Sequence, residues 1–270
     1  EISACLVGSE MCIRDSVVPV EQSAQLKAMG YDFVEEMIVR LLQGEVPDEE
    51  WDGERRASAS ALPVPAANYL VPAHLKITGP DVAPEKLRTY IERVVTRAGQ
   101  VGIRTLVFGS GPARNVPAGF DRKDARRQVL EFLRMMLPYC ARYGITLVCE
   151  PLNRGECNII NSVAEAMEYV WQIDHTNFQC LVDSYHLWLE NEPFEHVRDA
   201  MPWIRHVHLA DTEGRRPPGL TGKNDYRPLF AELKRGKYEG LISVETINYP
   251  PLLSEAAASL EFVKRQWREA

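Results

Sequence analysis

The chain has 270 residues, 45 % hydrophobic and 26 % charged, and its 31 Lys+Arg against 38 Asp+Glu give a formal charge of −7. That composition is globular, and the acidic balance argues against nucleic acid or an anionic membrane as partner, because phosphate binding rests on clustered Lys and Arg. No apolar run approaches the ~20 residues of a membrane span, and the six cysteines form no C-x-x-C pair, as suits thiols in a reducing cytoplasm.

The opening EISACLVGSEMCIRDS begins without methionine and has no helical or strand continuity with the residues after it. It lacks the basic start and sustained apolar stretch of a signal peptide and resembles translated sequencing-adapter read-through. Residues 1–16 are therefore expected to be a non-native leader, and 17–270 a single domain.

From residue 17 onward, short apolar runs alternate with helix-period segments. Strands are expected at 31–35, 66–71, 103–108, 145–149, 178–182, 204–209 and 241–244. Pro84 opens a helix with Leu87, Ile91, Val94 and Ala98 on one face and Gly102 as its stop. A second helix follows Asp121, carrying Val129, Phe132, Leu133 and Met136 at helical spacing and stopping at Gly144. Its basic start, residues 122–127, reads as a solvated face. Ser162 with Glu165 forms a capping box before the next helix, and the last helix carries Ala256, Leu260, Val263 and Trp267 on one face.

Apolar strands without strict alternation suit a parallel sheet covered on both sides, and repeated strand–helix units imply βαβ architecture. No G-x-G-x-x-G or P-loop sequence occurs, which disfavours a nucleotide-binding open sheet. Gly109-Ser110-Gly111 alone reads as a tight turn. The expected fold is thus α/β, a single-domain (β/α)8 TIM barrel. Its seven visible strands leave the first truncated, or replaced by residues of the leader.

Polar residues recur at the ends of four successive strands: Glu150 in LVCEPLN, Asp183 in LVDSYH, His208 in RHVHLAD and Glu245 in SVETIN. Each is about one strand–helix unit from the next, so in a barrel they would ring one mouth. Two Glu, one Asp and one His suit an oxygen-rich divalent cation site, with Mn²⁺ the natural fit and Mg²⁺ or Co²⁺ the alternatives. His206 points inward like His208 but one layer deeper. It is expected to be a hydrogen-bonded interior histidine rather than a ligand.

The segments CEPLNRGE, LVDSYHL, HVHLADTEGRRPPG and SVETIN resemble the sugar isomerase/epimerase family with the xylose-isomerase-like barrel, and within it the ketose 3-epimerases of tagatose and allulose type. The resemblance implies metal ligation by Glu150, Asp183, His208 and Glu245. It also implies that Glu150 and Glu245 are the proton-transfer pair, each acting as general base or acid beside a ketone, while the cation stabilises the enediolate. It further suggests substrate contacts by Glu156, His186 and Arg215, with Arg216 as the alternative to Arg215. Asn68 is placed either in the pocket or at a loop cap, and Trp188 and Phe194 either over the pocket or in loop packing.

The expected protein is a cytoplasmic enzyme of carbohydrate metabolism, a homo-oligomer of two or four chains acting on a small sugar. If Glu156 meets the end of the substrate, a phosphate there would be repelled, favouring a free sugar. The competing reading from another class is a metal-dependent lyase of inosose or dehydroshikimate dehydratase type on the same barrel. An abasic-site nuclease would need more histidines and a basic groove, and a non-catalytic sugar-binding protein would have no use for Glu245 as a base.

Overall fold

The computed structural model describes residues 13–16, 19–246 and 252–270, with side chains described from 19 to 246 and from 255 onward. Eight parallel strands form one sheet: β1 (Ile13–Ser16), β2 (Glu35–Met37), β3 (Ala66–Asn68), β4 (Thr105–Phe108), β5 (Thr146–Cys149), β6 (Phe178–Asp183), β7 (Ile204–Leu209) and β8 (Leu241–Val244). The order runs β1-β8-β7-β6-β5-β4-β3-β2, so every sequential pair from β2 onward is joined. Among the described residues no ladder joins β1 to β2. This is a TIM barrel in a single domain, closed everywhere but at that seam.

The first strand comes from the segment that the sequence sets apart. Its IRDS stretch pairs with β8 through Ile13 opposite Ile242 and Ser16 opposite Val244, with an irregular register between them. Residues 13–16 of that segment thus occupy the position of a barrel strand beside β8.

Sequence punctuation sets the larger helices. Pro84–Val101 ends on Gly102, whose left-handed φ of 86° reverses the chain at no steric cost. Asp121 caps Arg122–Tyr143 by accepting from the Lys123 and Asp124 amides, and the basic start of that helix is solvent-facing as expected. Ser162 accepts from the Glu165 amide at 3.0 Å. The return bond of that cap lands one residue early: the Glu165 carboxylate accepts from the Asn161 amide, not from that of Ser162.

Two early strands are displaced from their expected positions. β2 begins where the run 31–35 was expected to end, because Glu35 and Glu36 lie within the strand and are both fully buried. β3 stops at Asn68, since Tyr69 adopts a left-handed φ of 57° that extended backbone cannot continue through. The later strands fall at or within a residue or two of their expected bounds, β7 and β8 without any shift.

A single apolar core fills the space between sheet and helices, and a smaller cluster of Val107, Val148 and Leu181 is separate from it. Contacts from β2 to β7 and from β7 to Ser243 on β8 fill another part of the structure with polar groups. The C-terminal strand ends therefore sit above a partly polar interior, which is where the candidate site lies.

Candidate metal centre and active site

Glu150, Asp183, His208 and Glu245 converge, with ligand atoms all within 4.8 Å of one another. Glu150 and Glu245 immediately follow β5 and β8, Asp183 ends β6, and His208 is the last residue but one of β7. Asp183 and His208 are directly opposite in the β6–β7 register. The His208 ring presents Nδ1 to Glu150 Oε1 at 3.1 Å and to Glu245 Oε2 at 3.3 Å. Glu150 fits because residue 109 is glycine: a Cβ there would lie 2.1 Å from Glu150 Oε2.

Three carboxylates this close repel one another, and the side chains around them carry the compensation. Burial, reinforced by the charge of Glu245, raises the pKa of Glu150. Burial also raises that of Asp183, against the pull of Arg215. Burial opposes ionisation of Glu245 too, but Arg215 and His208 outweigh it and lower its pKa to about 2. His208 is held well above the usual histidine range: burial works against its charge, and Glu35 and Glu245 overcome it. Three carboxylates and one imidazole, crowded together and largely buried, fit a hard divalent cation.

Above this cluster is a cavity of about 460 Å³. Glu150, Glu245, Glu156, Arg215 and Asn68 line it, as do Tyr69 and the Gly109–Gly111 turn. Asp183, His186 and His208 sit beneath this layer, each at most 2 % exposed. Asn68 belongs to the pocket and not to a loop cap, since its Nδ2 donates to Glu245 Oε1 at 2.8 Å.

Of the two candidate arginines, Arg215 is the one in the site. It donates to Glu245 and to Asp183 Oδ2 at 3.2 Å, and lies 3.5 Å from Glu156 Oε2. Arg216 points away and pairs with Glu255 at 2.6 Å. His186 accepts the Asn153 amide proton on Nδ1 at 3.0 Å, which leaves the hydrogen on Nε2, 3.5 Å from Asp183. Burial lowers its pKa to about 4, so it is a neutral donor. Trp188 packs edge-on to Tyr226, ring centroids 4.8 Å apart, and Phe194 packs against the core; neither lines the cavity.

Sequence reasoning passed over two residues. Asn153 links the Glu156 carboxylate to His186 through its Nδ2. Glu35, fully buried on β2, contacts both His206 and His208. The one available signal for Glu35 was an acid closing the early run GYDFVEE, and without a partner in view it reads as a strand end. His206 is the hydrogen-bonded interior residue expected, bonded to Glu35 at 2.7 Å.

Barrel, site and sequence together place the chain in a known group. The chain belongs to the xylose isomerase-like TIM barrel family, whose pattern matches residues 23–266. It is 30 % identical over 164 residues to the 3-dehydro-D-guloside 4-epimerase of Escherichia coli K12, covering 57 % of this chain and 61 % of that protein. It is 24 % identical over 163 residues to the D-psicose 3-epimerase of Agrobacterium fabrum, covering 58 % and 55 % respectively. The matched region thus spans about three fifths or less of these relatives. In structure it resembles the apo 3-keto-D-glucoside 4-epimerase of E. coli, with a TM-score of 0.79 at 24 % identity over 95 % of this chain and all of that one. Among the described residues no helix is long and apolar enough to cross a membrane.

Proposed function

We propose that the protein is a divalent-metal-dependent epimerase or isomerase of a ketose or related polyhydroxy carbonyl compound. The observation that carries this reading is the convergence of Glu150, Asp183, His208 and Glu245 beneath a cavity lined by further polar side chains. These four residues would hold the cation, Mn²⁺ first and Mg²⁺ or Co²⁺ as alternatives. Bound there, it supplies Lewis-acid stabilisation of the negative charge that develops on the substrate oxygens.

Glu150 and Glu245 are the proton-transfer pair. One carboxylate removes the proton from the carbon beside the ketone, and the other returns a proton to the opposite face. Asp183 only ligates. Arg215, with charge fixed by its carboxylate neighbours, and the neutral Nε2–H of His186 orient substrate oxygens. Glu156 and Asn68 bind hydroxyls at the cavity wall, and the carboxylate of Glu156 disfavours a phosphate there. The four described cysteines are free and buried, in keeping with a cytoplasmic enzyme, expected as a homo-oligomer of two or four chains.

The test is incubation with fructose, tagatose and ribulose, and with their phosphates, in D₂O containing Mn²⁺. Epimer formation with deuterium at the reacting carbon is the expected result. An enone absorbance without an epimer would assign the protein to the lyases instead. Turnover of phosphorylated sugars alone would overturn the assignment of Glu156.

A further inference from the structure

Glu35 is fully buried on β2, yet it meets two histidines on β7, 171 and 173 residues away in sequence. Its Oε2 lies 2.7 Å from His206 Nε2, and its two oxygens lie 3.1 and 3.3 Å from His208 Nε2. We propose that Glu35 is a positioning residue that fixes the His208 ring with Nδ1 facing the cation site and the hydrogen on Nε2. This inference rests on the metal set proposed above.

The geometry of the ring carries the argument. Only Nδ1 faces Glu150 and Glu245, so only Nδ1 can offer a lone pair to a cation shared with them. The hydrogen of the neutral ring must then sit on Nε2, where no water reaches, and a buried N–H without an acceptor is costly. Glu35 supplies the acceptor. His206 in turn holds Glu35: its own Nδ1 has no partner, so its hydrogen belongs on Nε2, aimed at the carboxylate. Ser243 Oγ, 3.3 Å from the same His206 nitrogen, completes the set.

Glu35, His206 and His208 also lie close enough together to suggest a second cation site. Two observations weigh against it. All three side chains are sealed from solvent, and His208 cannot give a lone pair on both ring nitrogens while neutral. The nitrogen–oxygen separations are hydrogen bonds of ordinary length. Glu35 thus acts on the cation through His208, and a carboxylate in that position raises the basicity of the ligating ring.

The experiment is Mn²⁺ titration calorimetry on the full-length metal-free protein and its Glu35→Gln variant, with circular dichroism to confirm the fold. Gln keeps the shape but loses the charge that accepts from two N–H groups. A Kd weakened about 10–100-fold in a folded variant is the expected result. A lowered melting temperature with unchanged Mn²⁺ affinity would mean that Glu35 only ties β2 to β7, and the inference fails. Should Glu35→Gln not fold, the tautomer is read in the wild-type protein loaded with diamagnetic Mg²⁺. Long-range ¹H–¹⁵N correlation, with His208 assigned by its loss in His208→Gln, should show the hydrogen on Nε2; a hydrogen on Nδ1 overturns the proposal. A wild-type protein that binds no divalent cation instead overturns the metal reading itself, whatever the variant does.

Discussion

Replacing Arg114 by Met tests how the fold holds the candidate base Glu150. Arg114 closes the short helix Gly111–Arg114 and is completely buried. Its guanidinium donates to the Phe108 carbonyl at 2.8 Å and the Glu150 carbonyl at 2.7 Å, and lies 5.1 Å from the Phe108 ring centroid. In Arg114→Met the Phe108 carbonyl keeps the Glu150 amide as a donor at 3.2 Å, but the Glu150 carbonyl loses the donation from Arg114. One charge-assisted bond and one stranded carbonyl cost several kcal/mol together, and relief from burying a guanidinium returns part, leaving a loss of about 2–4 kcal/mol. For a chain of this length that lowers the thermal midpoint by about 4–8 °C. The carboxylate follows its backbone, and a displacement of ~1 Å is enough to slow proton transfer by up to ~10²-fold. Arg114→Lys should recover only part of either loss, since an ammonium lacks the planar fork that reaches both carbonyls. Circular dichroism melts and solvent deuterium exchange are the assays. A midpoint within about 1 °C of wild type, with exchange unchanged, would refute the reasoning.

Three further outcomes are expected from the same site and fold. Chelation by EDTA should abolish turnover, and Mn²⁺ restored to 100 times its Kd should stabilise the protein by about 2.7 kcal/mol; full activity after exhaustive chelation would remove the metal from the reading. Glu245→Gln should cut deuterium exchange at the reacting carbon by about 10²-fold or more, whereas a protein that merely binds sugar would keep its affinity. If residues 1–16 are a non-native leader, replacing them with a regular parallel strand should raise the denaturation midpoint, because among the described residues β1 pairs only with β8, and irregularly; an unchanged midpoint counts against that reading.

The second half of the barrel is legible in the sequence because its strands are largely apolar and carry a candidate ligand at or beside their C-terminal ends. The candidate ligands at the ends of β5 to β8 fall together. The first half hides its contribution. Charged residues are almost never fully buried unless paired, so the expected run closes at Glu35 and leaves Glu36 outside it. In the structure both are inside β2: Glu36 accepts from the Val20 and Met37 amides and from Arg40, and Glu35 from the two histidines of β7. Nothing local to GYDFVEE announces a partner more than 170 residues away. Arg114 is hidden in a similar way, since its acceptors are carbonyls at the end of β4 and just past β5, which only the pairing of those strands brings together.

The choice between Arg215 and Arg216 shows where spacing stops being informative. Both lie in one loop, and a one-residue shift exchanges inside for outside. What decides it is Asp211, buried after β7, which accepts from the Gly219 and Thr221 amides, the Thr221 hydroxyl at 2.7 Å and the Tyr226 hydroxyl at 2.8 Å. The Asp211 amide in turn donates to the Arg216 carbonyl at 2.8 Å. That cage folds the loop back on itself and leaves Arg215 at a left-handed φ of 47°, a conformation that costs a non-glycine residue of order 1–3 kcal/mol. The cost is offset inside the site, where the guanidinium meets Glu245 and Asp183 and lies over the Tyr185 ring, 4.8 Å from its centroid. Arg216, one residue on, has a solvent-facing partner and no such compensation. The strained residue is thus the one whose side chain the acidic cluster holds, and the register of the loop is set by the carboxylates it serves.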